Sequence, residues 1–264
     1  FEQTIEINDI NTYITPNTTI CTGDNVDLVA AGGIDYVWKQ LDAAGGNITN
    51  ANLSNLSVYN TGNLTTTSFY RVIISNEDCV DSLETMVMIP PVGTIDAGPD
   101  QTICSGEITG LVGEVGFSNY QWVGNPSGEV LQGRVALIEP IVNTTYTLTA
   151  TDANGCEVMD EVTVFVNSQP TAAFTSEGMC VLNAINFTNN STLSSGFVSS
   201  YAWDFGDGVG TSVAENPNYT YSAEGTYAVK LVVESNFGCK DSIIQNVIID
   251  SISVSISTNQ SICL

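Results

Sequence analysis

The sequence predicts an all-β chain of three small β-sandwiches in tandem, a linear array. Three observations carry this. Alternating apolar and polar runs of strand length recur between clusters of Gly, Asn, Asp, Ser and Thr, and no stretch sustains a 3.6-residue period. Each of the three tryptophans closes a Tyr-x-Trp triplet, at Tyr36-Val37-Trp38, Tyr120-Gln121-Trp122 and Tyr201-Ala202-Trp203. The cysteines alternate as an early and a late one per repeat: Cys21 and Cys79, Cys104 and Cys156, Cys180 and Cys239, then Cys263. A repeat of about 80 residues suits a two-layer domain with a modest core, small enough to gain from an added covalent tie.

In chain order, residues 1–7 match the ends of the later repeats, Asp160 to Val166 and Ile243 to Ile249, and read as the last strand of a preceding repeat. Residues 8–91 form the first repeat. It holds Ile20-Cys21-Thr22-Gly23-Asp24, an alternating strand Val26 to Ala30, and a Trp strand Tyr36 to Leu41. A long polar segment, Asp42 to Thr67, follows, then strands Phe69 to Ile74 and Leu83 to Ile89. Pro90-Pro91-Val92-Gly93 marks the boundary, because two prolines cannot continue a ladder. Residues 92–167 repeat the plan with Cys104, the Trp122 strand, Thr145 to Ala150 and the turn Asp152-Ala153-Asn154-Gly155-Cys156. Residues 168–250 form the third repeat and 251–264 read as the first strand of a following one, cut at Cys263. Short, partly prolyl linkers predict a semi-rigid rod of roughly 110 Å at about 3.3 Å per strand residue.

The third repeat is the most explicit. Tyr201-Ala-Trp-Asp-Phe-Gly-Asp-Gly208 reads as a strand entering a tight turn, followed by Asn216-Pro217, Tyr219-Thr220-Tyr221 and the alternating run Gly225 to Val233. These landmarks resemble the PKD domain, an immunoglobulin-like β-sandwich, over roughly Thr171 to Asp250. The resemblance implies the fold and says little of activity, since that fold hosts many functions.

Composition narrows the function classes. Against 29 Asp and Glu stand 5 Lys and Arg, a net charge of −24. Such a surface repels nucleic acid and anionic membrane, and no run approaches the roughly 18 apolar residues of a membrane span. The chain contains no histidine, so neither a Ser-His-Asp nor a Cys-His arrangement can be assembled within it. No pair among the acidic residues is singled out for glycoside hydrolysis. No catalytic residue and no cofactor are therefore assigned. Seven cysteines without a Cys-x-x-Cys motif favour an oxidising, extracellular setting over a zinc or redox site. The chain opens at Phe1 on strand-like sequence and is expected to be the interior of a longer exported protein.

Calcium is the cation that the charge favours, with Asp204 and Asp207 as its candidate ligands. The competing reading has both carboxylates bonding backbone amides of the hairpin, and it is favoured because the other repeats lack them. Trp38, Trp122, Trp203, Tyr70, Tyr146 and Tyr227 lie within alternating strands and are expected in the cores. Tyr59, Phe197 and Tyr219 are the aromatic residues expected in loops, where they are candidates for stacking on sugar.

Tandem Tyr-x-Trp units, the Asn-Gly-Cys and Phe-Gly-Cys turns, and the run Asp96 to Cys104 resemble the repeat arrays of large Bacteroidota surface proteins, among them gliding-motility adhesins exported by the type IX secretion system. That resemblance implies a non-enzymatic fibre at the cell surface. Its partners would be neighbouring repeats, further copies in a filament, and surface polysaccharide. The alternative is a spacer or carbohydrate-binding module of a secreted hydrolase. Ser82, Ser242 and Ser251 sit in Asp-Ser-apolar triplets similar to the O-glycosylation acceptor of that phylum, with an ordinary strand start as the competing reading.

The immunoglobulin-like topology bears on the cysteines. It places the early one at the pole where the last strand of its own repeat exits, and the late one in the turn at the opposite pole. Roughly 25 to 35 Å of strand separates the two, against a Cα limit near 7 Å for a bridge. Stacked repeats instead bring the early cysteine of one unit to the late cysteine of the next. Cys21 with Cys156 and Cys104 with Cys239 are therefore favoured over pairing within a repeat, leaving Cys79 for a preceding repeat and Cys180 and Cys263 for following ones.

Overall fold

A computed structural model describes residues 11–77 and 79–251, and among these there are strands and turns but no helix. The strands read at residues 1–7 and beyond Ser251, with Cys263, lie outside the described residues.

The first sandwich contains β1 (Tyr13–Ile14), β2 (Thr18–Thr19), β3 (Asp27–Ala31), β4 (Asp35–Leu41), β5 (Ile48–Asn50), β6 (Val58–Asn60), β7 (Ser68–Ser75) and β8 (Val80–Met88). The second contains β9 (Gln101–Cys104), β10 (Thr109–Val112), β11 (Ser118–Asn125), β12 (Val130–Gln132), β13 (Val135–Ile138), β14 (Thr144–Thr151) and β15 (Glu157–Asn167). The third contains β16 (Phe174–Glu177), β17 (Ala184–Asn189), β18 (Val198–Asp204), β19 (Thr211–Ser212), β20 (Asn218–Thr220), β21 (Gly225–Ser235) and β22 (Lys240–Ile249).

Each sandwich sets a short sheet against a longer one: β1-β3-β6 with β2-β8-β7-β4-β5, β10-β13 with β12-β11-β14-β15-β9, and β16-β17-β20 with β19-β18-β21-β22. The chain divides into two compact units. One runs to Gly98 and adds Leu111–Ala136 and Tyr146–Val162; the other holds Pro99–Gly110, Leu137–Thr145 and the chain from Thr163 onward. The middle sandwich thus gives segments to both.

The alternation seen in the sequence is the burial pattern. β7, Ser-Phe-Tyr-Arg-Val-Ile-Ile-Ser, turns Tyr70, Val72 and Ile74 into the core and Arg71 outward, where its guanidinium bonds Glu84 on β8. Trp38 on β4 lies opposite Val72, and Trp203 on β18 opposite Leu231. Trp38, Trp122 and Trp203 are fully enclosed. Each indole NH donates to a carbonyl of a following segment, that of Leu56, Gly133 and Ala214 respectively, which satisfies the one polar atom such a core residue carries.

The third core is an aromatic stack. Phe174, Phe187, Trp203 and Phe205 pack with ring centroids 5.1 to 6.4 Å apart. The Tyr219 ring lies parallel to Phe205 at 4.1 Å, and the buried Tyr221 hydroxyl donates to the Phe205 carbonyl at 2.9 Å. The hairpin that follows Trp203 returns through Gly206 and Gly208, both at positive φ, to pair Asp204 with Thr211.

Three aromatic expectations are corrected here. Tyr227 faces inward and packs against the core but is only half-buried, stacked on Tyr221 at 4.1 Å, while Val229, two residues before the partner of Trp203, takes the fully buried position that Tyr70 takes in the first sandwich. Tyr59 is not in a loop: it forms part of β6 and packs between Trp38 and Tyr70, so the segment from Asp42 to Thr67 contains two short strands. Tyr219 likewise belongs to β20 and packs inward. Phe197 does remain exposed, as does Phe237, whose ring lies against Gly196.

Candidate functional site

The residues that recur with the same geometry in all three sandwiches are the cysteines and their supports. Each early cysteine begins a turn in which the amide three residues on returns to its carbonyl: Asp24 to Cys21, Glu107 to Cys104, and Asn183 to Cys180. Beside each, a neighbouring amide bonds the last strand of the same sandwich. Ile20 donates to Met88, Ser105 to Asn167, and Val181 to Asp250. These contacts extend the parallel pairings of β2 with β8 and β9 with β15, and the parallel bridge of Cys180 with Asp250. The early cysteine is thereby fixed at the pole where the last strand leaves.

Each late cysteine sits at the opposite end, in the turn between the last two strands. Asn76, Asp152 and Ser235 donate their amides to the carbonyls of Cys79, Cys156 and Cys239, and the side chains of the same three residues accept the cysteine amides at 2.8, 2.9 and 3.2 Å. Gly155 and Gly238, at φ of 84° and 83°, supply the left-handed residue that these turns require. The Cys156 amide is the main reason that the Asp152 carboxyl is held below the usual carboxylate range.

Two disulfides join these positions. Cys21 is bonded to Cys156 and Cys104 to Cys239, with Cα separations of 5.5 and 5.7 Å, each spanning 135 residues and each lying within one compact unit. No bridge forms within a repeat among these four. Cys156 and Cys239 are buried, so each bridge is half shielded from reductant. Such bonds persist in an oxidising compartment. Cys180, half-buried, is a free thiol.

Around the second bridge the junction is built from further residues of the same unit. Gln169 donates to the Lys240 carbonyl beside Cys239, and the hydroxyls of Ser168 and Ser194 bond at 2.9 Å. A hollow of about 190 Å³ lies there, lined by Ser105, Val166, Asn167, Ser168, Gln169 and Ser194 among others.

The other sites read from the sequence are dispersed. Asp204 accepts the Gly206 amide at 2.9 Å. One Asp207 oxygen accepts the amides of Val209 and Gly210 while the other receives the Tyr219 hydroxyl. The Tyr219 bond is the main cause of the depressed Asp207 pKa. Both carboxylates thus serve the hairpin, and no group of three metal-ligating side chains occurs among the described residues.

Ser82 and Ser242 are exposed on β8 and β22, and Ser251 is exposed just after β22. Their aspartates have a structural task that composition hides. Asp81 receives the Thr12 hydroxyl and Asp241 the Ala172 amide, as Asp160 receives the Ala97 amide in the second sandwich, so a carboxylate on each last strand secures the first segment.

The aromatic core, the Asp207 hairpin and the bond from Tyr221 to Phe205 lie in one of two segments that family models match. Residues 167–249 match the PKD domain. Residues 10–90 match a domain family of unknown function, DUF8696. A collagenase of Bacillus cereus, ColA, is 46% identical over 55 residues, 20% of this chain and 6% of that protein. A microbial collagenase of Vibrio alginolyticus is 37% identical over 93 residues, 34% of this chain and 11% of that protein. The crystal structure of the PKD1 domain of the Vibrio cholerae metalloprotease PrtV covers 31% of this chain and 99% of its own, at 32% identity and a TM-score of 0.30. The chain therefore spans about a tenth or less of the collagenases it matches. Its third sandwich is PKD-like.

Proposed function

We propose that this chain is a non-catalytic structural segment of a secreted tandem-repeat protein, in which disulfides between successive sandwiches resist extension. The observation that carries this is the pairing of early with late cysteines across repeats, at Cys21 with Cys156 and Cys104 with Cys239. A bridge inside one sandwich would protect only that sandwich. These together shield the stretches 21–104 and 156–239 from extension, leave the overlap 104–156 to carry load, and clamp the linkers near Pro90 and Ser168. The finer reading is a fibre at the cell surface, similar to gliding-motility adhesins of Bacteroidota exported by the type IX system. Its contacts would be neighbouring repeats and polysaccharide, with the −24 charge keeping a dense array of such fibres soluble.

A second reading is favoured by the relatives: an accessory module of a secreted protease, since the matched segments belong to proteins named collagenase and metalloprotease. Both readings make the chain extracellular and non-enzymatic, and the length of the parent protein separates them. Single-molecule pulling tests the shared mechanical claim. With bridges intact, extension should stop short by more than about 400 Å, the reach of 135 residues at about 3.3 Å each, and reductant should release it. Equal contour lengths in both conditions would overturn the reading.

A further inference from the structure

We propose that the pole of the third sandwich bearing Cys180 is the seat of a further sandwich of the same polypeptide, whose late-turn cysteine bonds Cys180. The inference rests on the tandem reading above and deepens it by naming the surface and the partner.

Cys180 has the backbone setting of the two early cysteines that are bridged. The Asn183 amide returns to its carbonyl as Asp24 and Glu107 do to Cys21 and Cys104, and Val181 bonds Asp250 as Ser105 bonds Asn167. Cys180 pairs in parallel with Asp250 as Cys104 pairs with Asn167. Cys180 and Cys104 are thus held the same way, Cys21 shares their turn two residues beyond its own parallel pairing, and both bridged sulfurs bond a late cysteine 135 residues on.

The surface beside Cys180 gives a second, independent indication. At the exit pole of the second sandwich, Val166 and Asn167 line a hollow of about 190 Å³ that is covered by Ser194 of the next sandwich and by Ser168 and Gln169 of the linker. At the exit pole of the third, the counterparts Ile249 and Asp250 line a more open groove of about 480 Å³ with Glu224, Gly225, Thr226 and Ile248. The same strand ends bound both hollows, and what differs is the cover. A following sandwich would present the counterparts of Ser194 and Lys240 to this groove, and its late cysteine to Cys180.

Bond formation balances as thiol–disulfide exchange. The Cys180 thiolate attacks a donor disulfide and displaces one of its thiolates. The late-turn thiolate then displaces the other, so two protons and two electrons leave the cysteines and the donor ends as two thiols.

The test uses the parent protein, secreted under oxidising conditions, alkylated without reductant, digested and mapped by mass spectrometry. The expected product joins the Cys180 peptide to a cysteine in an Xaa-Gly-Cys turn on the order of 135 residues further along. An alkylated Cys180, or one joined to Cys263, in a protein that does carry a following sandwich overturns the proposal and leaves the tandem reading standing. A parent with no β-sandwich after Asp250 overturns both. Cys180→Ser in the same protein should keep the two mapped bridges while speeding limited proteolysis of the segment after Asp250 several-fold. Unchanged cleavage would count against the clamp.

Discussion

One carboxylate oxygen of Asp152 accepts the amide hydrogen of Cys156 at 2.9 Å, so a side chain four residues earlier sets the turn that presents a junction sulfur. The same oxygen holds the Asn154 amide, and the Asp152 carbonyl receives that of Gly155. Removing the carboxylate frees the amides of Asn154 and Cys156 beside one sulfur and leaves two backbone bonds and the disulfide to hold the turn. Asp152→Ala should therefore speed reduction of Cys21–Cys156 by roughly threefold or more, and leave Cys104–Cys239 unchanged, since side-chain to backbone bonds of this kind are each worth a few-fold in an equilibrium. Asp152→Asn, which keeps an acceptor, should retain most of the protection. Timed alkylation during mild reductant treatment reads both bridges, and equal acceleration of the two would show that the turn has no such role.

Gly206 lies at φ of 78°, and a methyl group there would meet the Ala228 carbonyl oxygen at 2.6 Å and its nitrogen at 2.8 Å. Backbone atoms of a central strand cannot swing aside as a side-chain tip can. Gly206→Ala combines a left-handed alanine with an overpacked contact, an expected loss of about 2 to 4 kcal/mol confined to the PKD-like sandwich. Chemical denaturation with Trp203 as the reporter should show an earlier transition. An unchanged midpoint would contradict the described hairpin.

The Tyr221 hydroxyl is buried and donates to the Phe205 carbonyl at 2.9 Å. Tyr221→Phe keeps the ring and its stacking on Tyr227 but leaves that carbonyl without this donor. A cost of about 1 to 3 kcal/mol is expected from the unmet acceptor, measurable by the same denaturation. A neutral result would mean that water replaces the hydroxyl.

Acid should weaken the fold through particular carboxylates. Asp81, Asp152 and Asp207 are each held below their ordinary pKa, chiefly by Thr12, the Cys156 amide and the Tyr219 hydroxyl respectively. A folded-state pKa below the unfolded value of about 3.9 gives stability that is complete above that value and is lost as pH falls through the lower, folded one. The opposite shift holds for Tyr146 and Tyr221, whose pKa values are raised chiefly by burial; their contribution is complete below about pH 10 and fades as pH rises above it. Stability of the wild type minus that of Asp152→Asn/Asp207→Asn, followed from pH 7 to 2, should shrink below about pH 4, because relief of the general acidic repulsion is common to both proteins and cancels. A difference that stays constant down to pH 2 would contradict the assigned bonds.

The strand pattern, the three core tryptophans and the Gly-containing late turns were legible because each depends on local rules: period-two burial, a β-hairpin that needs positive φ, and Asp or Asn bonding its own backbone. Tyr59 was not legible as a core residue, since β6 is three residues long and its partner β3 lies some thirty positions upstream, so no local window contains the pairing. Tyr227 misled for the opposite reason. It sits in a strong strand and shares the inward face with Val229 and Leu231, but near the start of β21 its ring stacks on Tyr221 at the margin of the core and is only half covered. The task of Asp81 and Asp241 was hidden as well, because their partners lie 69 residues away in the chain.

Disulfide mapping of the 264-residue chain, folded under oxidising conditions and digested without reduction, tests the central claim most directly. Two linked peptide pairs are expected, Cys21 with Cys156 and Cys104 with Cys239. Recovery of Cys104 linked to Cys156, a bridge inside the second sandwich, would contradict it, and with it the claim that covalent bonds between successive repeats are what this chain supplies.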